Sequence, residues 1–291
     1  MIGFNVSVFF KRVQSVSGLQ NHQWEHNQSG VDRGMEAILI QRCTREIATY
    51  ALARLRLACM PDLAHAAQSD GAIDQSELSE LVSWAVTQSG GCSSMMKVME
   101  TEDPSGWLRG LAAAASLRYY RNRSDSNPIV KAPWTQDGLT AAATMPCEQF
   151  LEYPTSGSTW ARKYQAVVSL VDHIRRTPIA EMTDDEAYQS LLSLSGVGPQ
   201  SASMISLFWL DRPEPIIDDY LKRVLRAWSM LPAAFTGKSR AENGELREHL
   251  RRGAVVVAES TPGWSPQRVL ACIYLWCCEV GRFRLGGVGG E

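Results

Sequence analysis

The sequence predicts an all-α fold, and three of its features support that prediction. Apolar residues recur at spacings of three and four along most of the chain, which is the period of a helix buried on one face. Residues that cap helices stand before these segments, and Pro or Gly follows several of them. A strand-like run is confined to residues 4–10, and no internal repeat is apparent. We therefore expect about nine or ten helices and almost no strand.

The N-terminal half divides into an arm and a helical region. Residues 1–32 are mixed, and we expect a loosely ordered arm or a small strand at residues 4–10. Helical periodicity then runs over residues 33–59, and Pro61 ends it. Further helices are predicted over 75–88, over 103–123 and, within a segment rich in Pro, Ser, Thr and Gly, over 137–144.

The C-terminal half is more regular. A helix is predicted over residues 159–176, and Thr183 caps the next one. That helix leads into the turn Gly196-Val197-Gly198, which is followed by an apolar helix. Pro213 and Pro215 interrupt the chain before Asp218 and Asp219 open another helix, and the last two helices are expected over 245–258 and 266–282.

The size and composition are those of an ordinary folded protein. The 291 residues suffice for one large domain or two smaller ones, and 45% of them are hydrophobic. Because no apolar run reaches membrane-spanning length and no signal peptide is evident, we expect a cytoplasmic protein. The formal net charge is −2, so any binding to nucleic acid needs a local basic face.

The seven cysteines indicate reduced thiols and not a metal site. They form no Cys-x-x-Cys pair and no spaced quartet, and the five histidines show no ligand spacing. An odd, scattered set of cysteines in a chain of this size is typical of small side chains packed in a core. We therefore expect no metal held by side chains.

The glycine turn has a chemistry of its own. Two glycines that flank one residue let the backbone turn tightly and let another molecule approach it closely. The helix that follows begins with small side chains, Ser201 and Ala202 among them. Its N-terminal N–H groups and its partial positive charge suit a phosphate.

The combined pattern resembles the signature of base-excision DNA glycosylases, in which a helix-hairpin-helix precedes a Gly/Pro-rich loop and a catalytic Asp. It rests on two stretches, LSGVGPQSA over residues 194–202 and IDDYLKRVL over 217–225. This superfamily includes endonuclease III, adenine DNA glycosylase and the alkyladenine glycosylases. The resemblance covers residues 159–230 clearly and 33–60 more faintly.

The resemblance implies a two-lobed helical glycosylase fold. Its parts are an arm at 1–32, a helical lobe at 33–158, and a helix-hairpin-helix lobe with C-terminal helices at 159–291. Residues 87–155 exceed what compact members use, so they resemble an insertion or a rebuilt base pocket. Residues 275–283 resemble the helix that precedes the iron–sulfur loop of endonuclease III, but the four spaced cysteines are missing and no cluster is expected.

The resemblance also implies roles for individual residues. The hairpin amides of Gly196, Val197 and Gly198, with Gln200 and Ser201 behind them, would bind a DNA phosphate, and hairpin carbonyls can hold a monovalent cation. No other cofactor is implied. Asp218 matches the catalytic Asp through its distance from the glycines and from Arg223. A carboxylate beside the deoxyribose stabilises developing positive charge and orients or deprotonates the attacking water.

Two alternatives concern the catalytic groups. Asp219 is the rival of Asp218, because the second Asp acts in alkyladenine glycosylases; whichever acid is not catalytic is expected to cap the helix. Bifunctional members carry a lysine at the position of Gln200, which attacks the sugar as a Schiff-base nucleophile. A glutamine amide cannot form that adduct, so the resemblance implies a monofunctional enzyme unless Lys163 or Lys222 stands in.

Softer matches extend the candidate site. Gln41 matches a glutamine that enters the space left by a flipped base, although it could equally be solvated. Glu36 lies near the general acid of adenine-specific members, or is a surface residue. Trp160 and Lys163 lie on the helix before the hairpin, where Trp160 lines a base pocket or packs in the core. A basic-aromatic run could stack a base, grip phosphates or complement a helix dipole: Tyr119, Tyr120, Arg121 and Arg123. Arg247, Arg251 and Arg252 are expected on a solvated face.

The sequence thus leads to one expected function and two alternatives. We expect a monomeric, monofunctional glycosylase that flips a damaged, mismatched or modified base out of double-stranded DNA and leaves an abasic site. One alternative is excision of bulky modified bases from phage DNA as antiviral defence, in place of base-excision repair. The other is a non-catalytic helix-hairpin-helix protein that only binds DNA.

Overall fold

The computed structural model describes residues 3–17, 30–41, 45–69, 80, 129, 133–146 and 157–283. Within these ranges all regular secondary structure is helical, which confirms the predicted all-α class. The α-helices are α1 (Val6–Ser17), α2 (Gly30–Leu39), α3 (Arg45–Cys59), α4 (Pro61–Ser69), α5 (Gln136–Thr144), α6 (Gly157–Arg176), α7 (Asp184–Leu192), α8 (Pro199–Phe208), α9 (Asp219–Ala227), α10 (Arg240–Ser260) and α11 (Pro266–Phe283). No described helix is long and apolar enough to cross a membrane.

The strand predicted for residues 4–10 is wrong, because this run forms the first part of α1. The Asn5 side chain accepts hydrogen bonds from the N–H groups of Ser7 and Val8, at 2.9 and 3.2 Å, and so starts the helix. Val6, Phe9, Phe10 and Val13 are all buried, at the spacings of a single helical face. The short apolar run fits both the two-residue period of a strand and the 3.6-residue period of a helix, and tertiary packing favours the helix.

The prediction of one helix over residues 33–59 is also wrong in its details. The chain forms two helices there, α2 and α3, with a turn at Ile40 and Gln41 between them. Pro61 does not end the helical region, since it is the first residue of α4. Proline is tolerated at that position because the N–H it lacks would have no partner inside the helix. The helices predicted over 75–88 and 103–123 lie almost entirely outside the described residues.

The chain divides into two compact units. Unit 1 comprises Met1–Glu25, Met182–Gln189 and Gly198–Glu291, and unit 2 comprises His26–Glu181 and Ser190–Val197. This division does not follow the domain boundaries predicted after residues 32 and 158. The N-terminal segment belongs with the C-terminal helices, whereas α6 belongs with α2 to α5.

Unit 2 is organised around α3 and α6. The helix α6 packs on α2 and α5, and α3 packs on α2, α4 and α5. A fully buried ion pair joins Asp32 on α2 to Arg56 on α3. The Arg56 guanidinium also donates to the carbonyl of Ile129, and the Trp134 indole donates to Asp32. These hydrogen bonds offset the cost of burying two charges.

Unit 1 is organised around α11, which packs on α1, α8, α9 and α10. An aromatic cluster lies in its core: Phe9 meets Trp228 at 5.6 Å between ring centres, and Trp228 meets Trp276 at 4.8 Å. The helices α1 and α10 approach closely, since a Cβ at Gly253 would lie 2.3 Å from Val6.

Candidate functional site

Gly196 is required by the fold itself. Its φ is +80°, a conformation that other residues adopt only with strain. A Cβ at this position would lie 2.8 Å from the carbonyl oxygen of Arg162 and 3.0 Å from the Cβ of Ala166, both on α6. The Val197 N–H donates to the carbonyl of Leu194 at 3.2 Å and closes the turn. The turn is therefore packed against α6 within unit 2.

Gly198 is different, because nothing inside the described protein requires a glycine there. It is the N-cap of α8 with φ −93° and ψ 175°, an extended conformation open to any residue. A Cβ at Gly198 would meet no described atom within 4 Å. Its side is therefore open to an approaching molecule.

The N-terminus of α8 offers backbone donors. No side chain among the described residues caps this helix, and Pro199 has no N–H. Backbone bonding begins where the Ala202 N–H donates to the Gly198 carbonyl at 2.9 Å. The N–H groups of Gln200 and Ser201 consequently have no acceptor within α8, and together with the helix dipole they can hold an anion.

Asp218 is a buried carboxyl group that is held by one of its oxygens only. It is the N-cap of α9, where Oδ1 accepts from the Leu221 N–H at 2.8 Å. The residue is 7% exposed, and no described group hydrogen bonds to its buried Oδ2. Burial raises the pKa of Asp218, whereas hydrogen bonds from the backbone of Leu221 and Tyr220 oppose the rise. The helix thus fixes this carboxyl and leaves one buried oxygen without a hydrogen bond from the described residues.

The prediction that Asp219 would cap the helix beside a catalytic Asp218 is wrong. Asp218 has the extended backbone of an N-cap, with φ −113° and ψ −177°, and it caps α9 itself. Asp219 is already the first helical residue, and it is exposed. Only Asp218 of the two therefore has the dry surroundings in which a carboxylate acts strongly on a neighbouring charge.

The surroundings of Asp218 include a buried thiol of α11. The pKa of Cys277 is raised well above its ordinary value, first by burial and then by the negative charge of Asp218. No described group of three or more His, Cys, Asp or Glu side chains could hold a metal ion. Asp218 therefore lies near a thiol that stays protonated, and a carboxylate in such surroundings is a strong electrostatic group.

The Pro-containing segment before Asp218 is anchored by Glu214, a residue that was not among those predicted from the sequence. Glu214 is buried, and it accepts from the Ser203 hydroxyl at 3.2 Å and from two nitrogens of Arg247. Burial raises the pKa of Glu214, and the Arg247 guanidinium opposes the rise. The same guanidinium lies 3.7 Å from the centre of the Tyr188 ring. The prediction that Arg247 lies on a solvated face is therefore wrong. Its side chain instead holds this segment between α8 and α10.

Ion pairs continue this anchor at the start of α7. Arg212 contacts Asp184 at 3.2 Å and donates to the Met182 carbonyl at 2.6 Å. Arg251, also predicted to be solvated, contacts Asp185 at 3.0 Å. Charged groups within unit 1 thereby hold the segment at Arg212 as well as at Glu214.

The lysines that could replace a catalytic lysine are engaged elsewhere. Gln200 occupies the second position of α8 and is half-buried. Lys163 is buried in unit 2, where its Nζ donates to the Leu39 carbonyl at 2.6 Å. Lys222 donates to the Gly237 carbonyl at 2.9 Å. Neither ammonium group is therefore poised as a free amine for attack on a sugar.

The softer candidates are placed only in part. Gln41 follows the end of α2, and its amide donates to the Ala37 carbonyl at 3.1 Å, so it closes that helix end in this conformation. Glu36 is half-buried on α2. Trp160 lies on α6, but its side chain is outside the described part of the chain, as are the four residues of the basic-aromatic run: Tyr119, Tyr120, Arg121 and Arg123.

Comparisons of the chain with protein-family models, with curated proteins and with solved structures found no match. Any function assigned to the site therefore rests on the residues and their geometry.

Proposed function

We propose that this chain is a monofunctional DNA glycosylase with a two-lobed helix-hairpin-helix fold. It hydrolyses the N-glycosidic bond of a damaged, mismatched or modified base in double-stranded DNA and leaves an abasic site. The observation that carries the proposal is the Asp218 carboxyl group, buried and fixed at a helix N-cap with no described partner for Oδ2. Its place five residues before Arg223, behind the glycine turn, is that of the catalytic Asp in the glycosylase signature.

The chemistry requires a carboxylate of this kind. Breaking an N-glycosidic bond develops positive charge on the deoxyribose, and a fixed anion beside the sugar stabilises it. Because the Leu221 N–H holds Oδ1, Oδ2 is the oxygen left to stabilise the charge on the sugar or to accept a proton from the attacking water, a role that requires this buried oxygen to become exposed when DNA binds. Burial strengthens the interaction, since little water screens the charge.

The N-terminus of α8 supports DNA as the substrate. A phosphate can approach Gly198 without a steric barrier from the described residues and accept from the N–H groups of Gln200 and Ser201. Such a contact places the duplex without reading its sequence. The target base must then leave the stack, at a cost of roughly a few kcal/mol that is lowest for mismatched or damaged bases.

A monovalent cation at the hairpin is compatible with the turn. The carbonyl of Leu194 accepts the Val197 N–H at 3.2 Å, and each carbonyl oxygen has a second lone pair for an ion. Such an ion would add positive charge to the hairpin. The hydrolysis assigned to Asp218 does not depend on it.

Substitution of Asp218 tests the catalytic role. We expect Asp218→Asn to keep its affinity for DNA and to lose excision by about 10²-fold or more, because the charge is removed while the shape is kept. The measurement is abasic-site formation on a panel of lesion-bearing and modified DNAs, including bulky modified phage genomes. Asp219→Asn is the matched control and should retain activity. Full excision by Asp218→Asn would disprove the assignment, and binding without excision by the wild type would leave a non-catalytic DNA-binding protein.

The product of the same wild-type reactions tests the role of Gln200. Because an amide forms no Schiff base, borohydride should trap no covalent protein–DNA complex, and strands should break only after alkali. A trapped complex would contradict the monofunctional assignment.

A further inference from the structure

The outer face of α9 is basic. Leu221, Val224 and Leu225 are buried, and the opposite side of the helix carries three cations at helical spacing: Lys222, Arg223 and Arg226. Arg223 and Arg226 are exposed, and Lys222 is half-buried. One helical face therefore presents three positive charges shortly after the N-cap Asp218.

A loop over residues 236–239 lies against this face, and together with the first residue of α10 it extends the face. Lys222 donates to the Gly237 carbonyl at 2.9 Å, and Arg226 donates to the Thr236 carbonyl at 2.7 Å. A Cβ at Gly237 would lie 3.0 Å from the Lys222 side chain, and φ at this glycine is +67°. Lys238 and Arg240 follow at once and are exposed. We call these five cations on α9, in the loop and at the start of α10 the basic face.

The basic face is positive in a protein whose net charge is negative. Residues 219–227 and 236–242 hold five basic and two acidic side chains, a formal charge of +3, whereas the whole chain has −2. The two acids are Asp219 and Glu242. The Glu242 carboxylate is engaged by Thr236 and Ser239, which lowers its pKa to about 2, so it is ionised and counted in full. The surplus is the local basic face that DNA binding by an acidic protein requires.

The position of the basic face relative to Asp218 suits a DNA strand. At a rise of about 1.5 Å per residue, Arg223 lies roughly 7.5 Å and Arg226 roughly 12 Å along α9 from Asp218. Phosphates of one strand repeat about every 3.4 Å along the duplex axis. Cations at these distances reach phosphates that flank a nucleotide held at Asp218. We infer that the basic face grips the backbone of duplex DNA next to the target nucleotide, an inference that rests on the proposed glycosylase function.

The test is the salt dependence of binding to undamaged duplex DNA. The triple variant Arg223→Gln, Arg226→Gln, Lys238→Gln should bind more weakly. The plot of the logarithm of the association constant against log[KCl] has a negative slope, and this slope should become shallower by about 0.9 for each phosphate that the variant no longer neutralises. A control triple variant, Arg175→Gln, Arg176→Gln, Arg252→Gln, removes the same charge from exposed residues elsewhere and should bind like the wild type. An unchanged slope in the first variant, or an equal decrease in the control, would overturn the inference.

Two further variants separate charge from folding. Arg223→Lys with Arg226→Lys keeps the charge and should keep the wild-type slope. Lys238→Gln alone removes the charge of a side chain without a described hydrogen bond, and it should make the negative slope shallower by about 0.9. A wild-type slope for Lys238→Gln would count against the basic face even if the triple variant misfolds. If excision depends on Asp218 while these slopes stay unchanged, the inference about the basic face is wrong and the proposed glycosylase function is supported. If the slopes change but no base is excised, the basic face binds DNA and the proposed glycosylase function is wrong.

Discussion

At the scale of residues, Asp218 combines two roles that act on stability in opposite directions. Its Oδ1 caps α9, which stabilises the helix, whereas its ionised form is costly in a buried site. The raised pKa means that the folded protein binds the proton more tightly than the unfolded chain does. Ionisation of Asp218 therefore lowers stability above the raised pKa, and this penalty vanishes as the pH falls toward the ordinary value of 3.8.

Two substitutions separate these roles. Asp218→Asn keeps an oxygen for the cap and removes the charge, so its free energy of unfolding at neutral pH should exceed that of the wild type. Asp218→Ala removes the cap and should be less stable than Asp218→Asn by about 0.5–2 kcal/mol. Urea unfolding at several pH values measures both. The gap between Asn and wild type should narrow as the pH falls; a gap that widens would contradict the raised pKa.

Substitution of the two glycines of the turn should have different effects, on stability at Gly196 and on DNA binding at Gly198. Gly196→Ala places a Cβ against the Arg162 carbonyl at positive φ and should cost about 1–2 kcal/mol or more in unfolding free energy. Gly198→Ala meets open space and should cost about 1 kcal/mol or less, as a weaker N-cap. If α8 binds a phosphate as proposed, the effect should appear in DNA binding, because the added methyl group would stand in the way. Thermal melts and binding titrations on both variants measure this, and unchanged affinity for Gly198→Ala would remove α8 from the interface.

The sequence was informative about these residues for a physical reason. A tight turn needs glycine and a helix N-cap needs Asp, Asn, Ser or Thr, so both leave local signals at fixed spacing. Glu214 left only a weak one, a charged residue between Pro213 and Pro215. Its partner Arg247 is 33 residues downstream, and only tertiary packing brings the two together.

At the scale of elements, the segment between α8 and α9 is held by a buried ion pair. Arg247→Met would leave the Glu214 carboxylate buried without its main partner, which typically costs about 3–5 kcal/mol. The double variant with Glu214→Gln should recover part of that stability, because the uncompensated charge is gone. The destabilisation in Arg247→Met should shrink at lower pH as Glu214 takes up a proton. Denaturant unfolding with Arg252→Met as the exposed control measures this; equal destabilisation in the single and double variants would show that the charge is not the cause.

Helices with strong local signals were predicted well. The helices α5, α6, α7, α10 and α11 begin and end within a few residues of their predicted ranges. At the start of α7, the Glu186 carboxylate accepts from the Thr183 N–H, and the Thr183 hydroxyl accepts from the Glu186 N–H. The failures occurred where local patterns fit two structures. The apolar run at 4–10 suits a strand or a helix, and Pro61 suits a helix end or a helix start.

At the scale of the whole molecule, the order of the chain does not match the order of its packing. Unit 2 is built from a nearly continuous stretch, whereas unit 1 joins the N-terminal segment to the C-terminal third. Sequence periodicity indicates each helix but not which helices pack together. The sequence therefore contained no signal that the N-terminal segment packs with the C-terminal helices, and the boundaries were placed after residues 32 and 158. The packing of α1 on α10 depends on contacts such as the hydrogen bond from the His249 ring to the Phe4 carbonyl, 2.6 Å long.

That hydrogen bond can form only after most of the chain has been synthesised. Phe4 and His249 are 245 positions apart, and a ribosome adding about 5–20 residues per second needs roughly 12–50 s to cover the distance. Throughout this interval the apolar side of α1 lacks its native partner α10, while all of unit 2 is synthesised. Unit 1 is therefore completed last, and α1 must wait for its partner helix in a state that chaperones can bind.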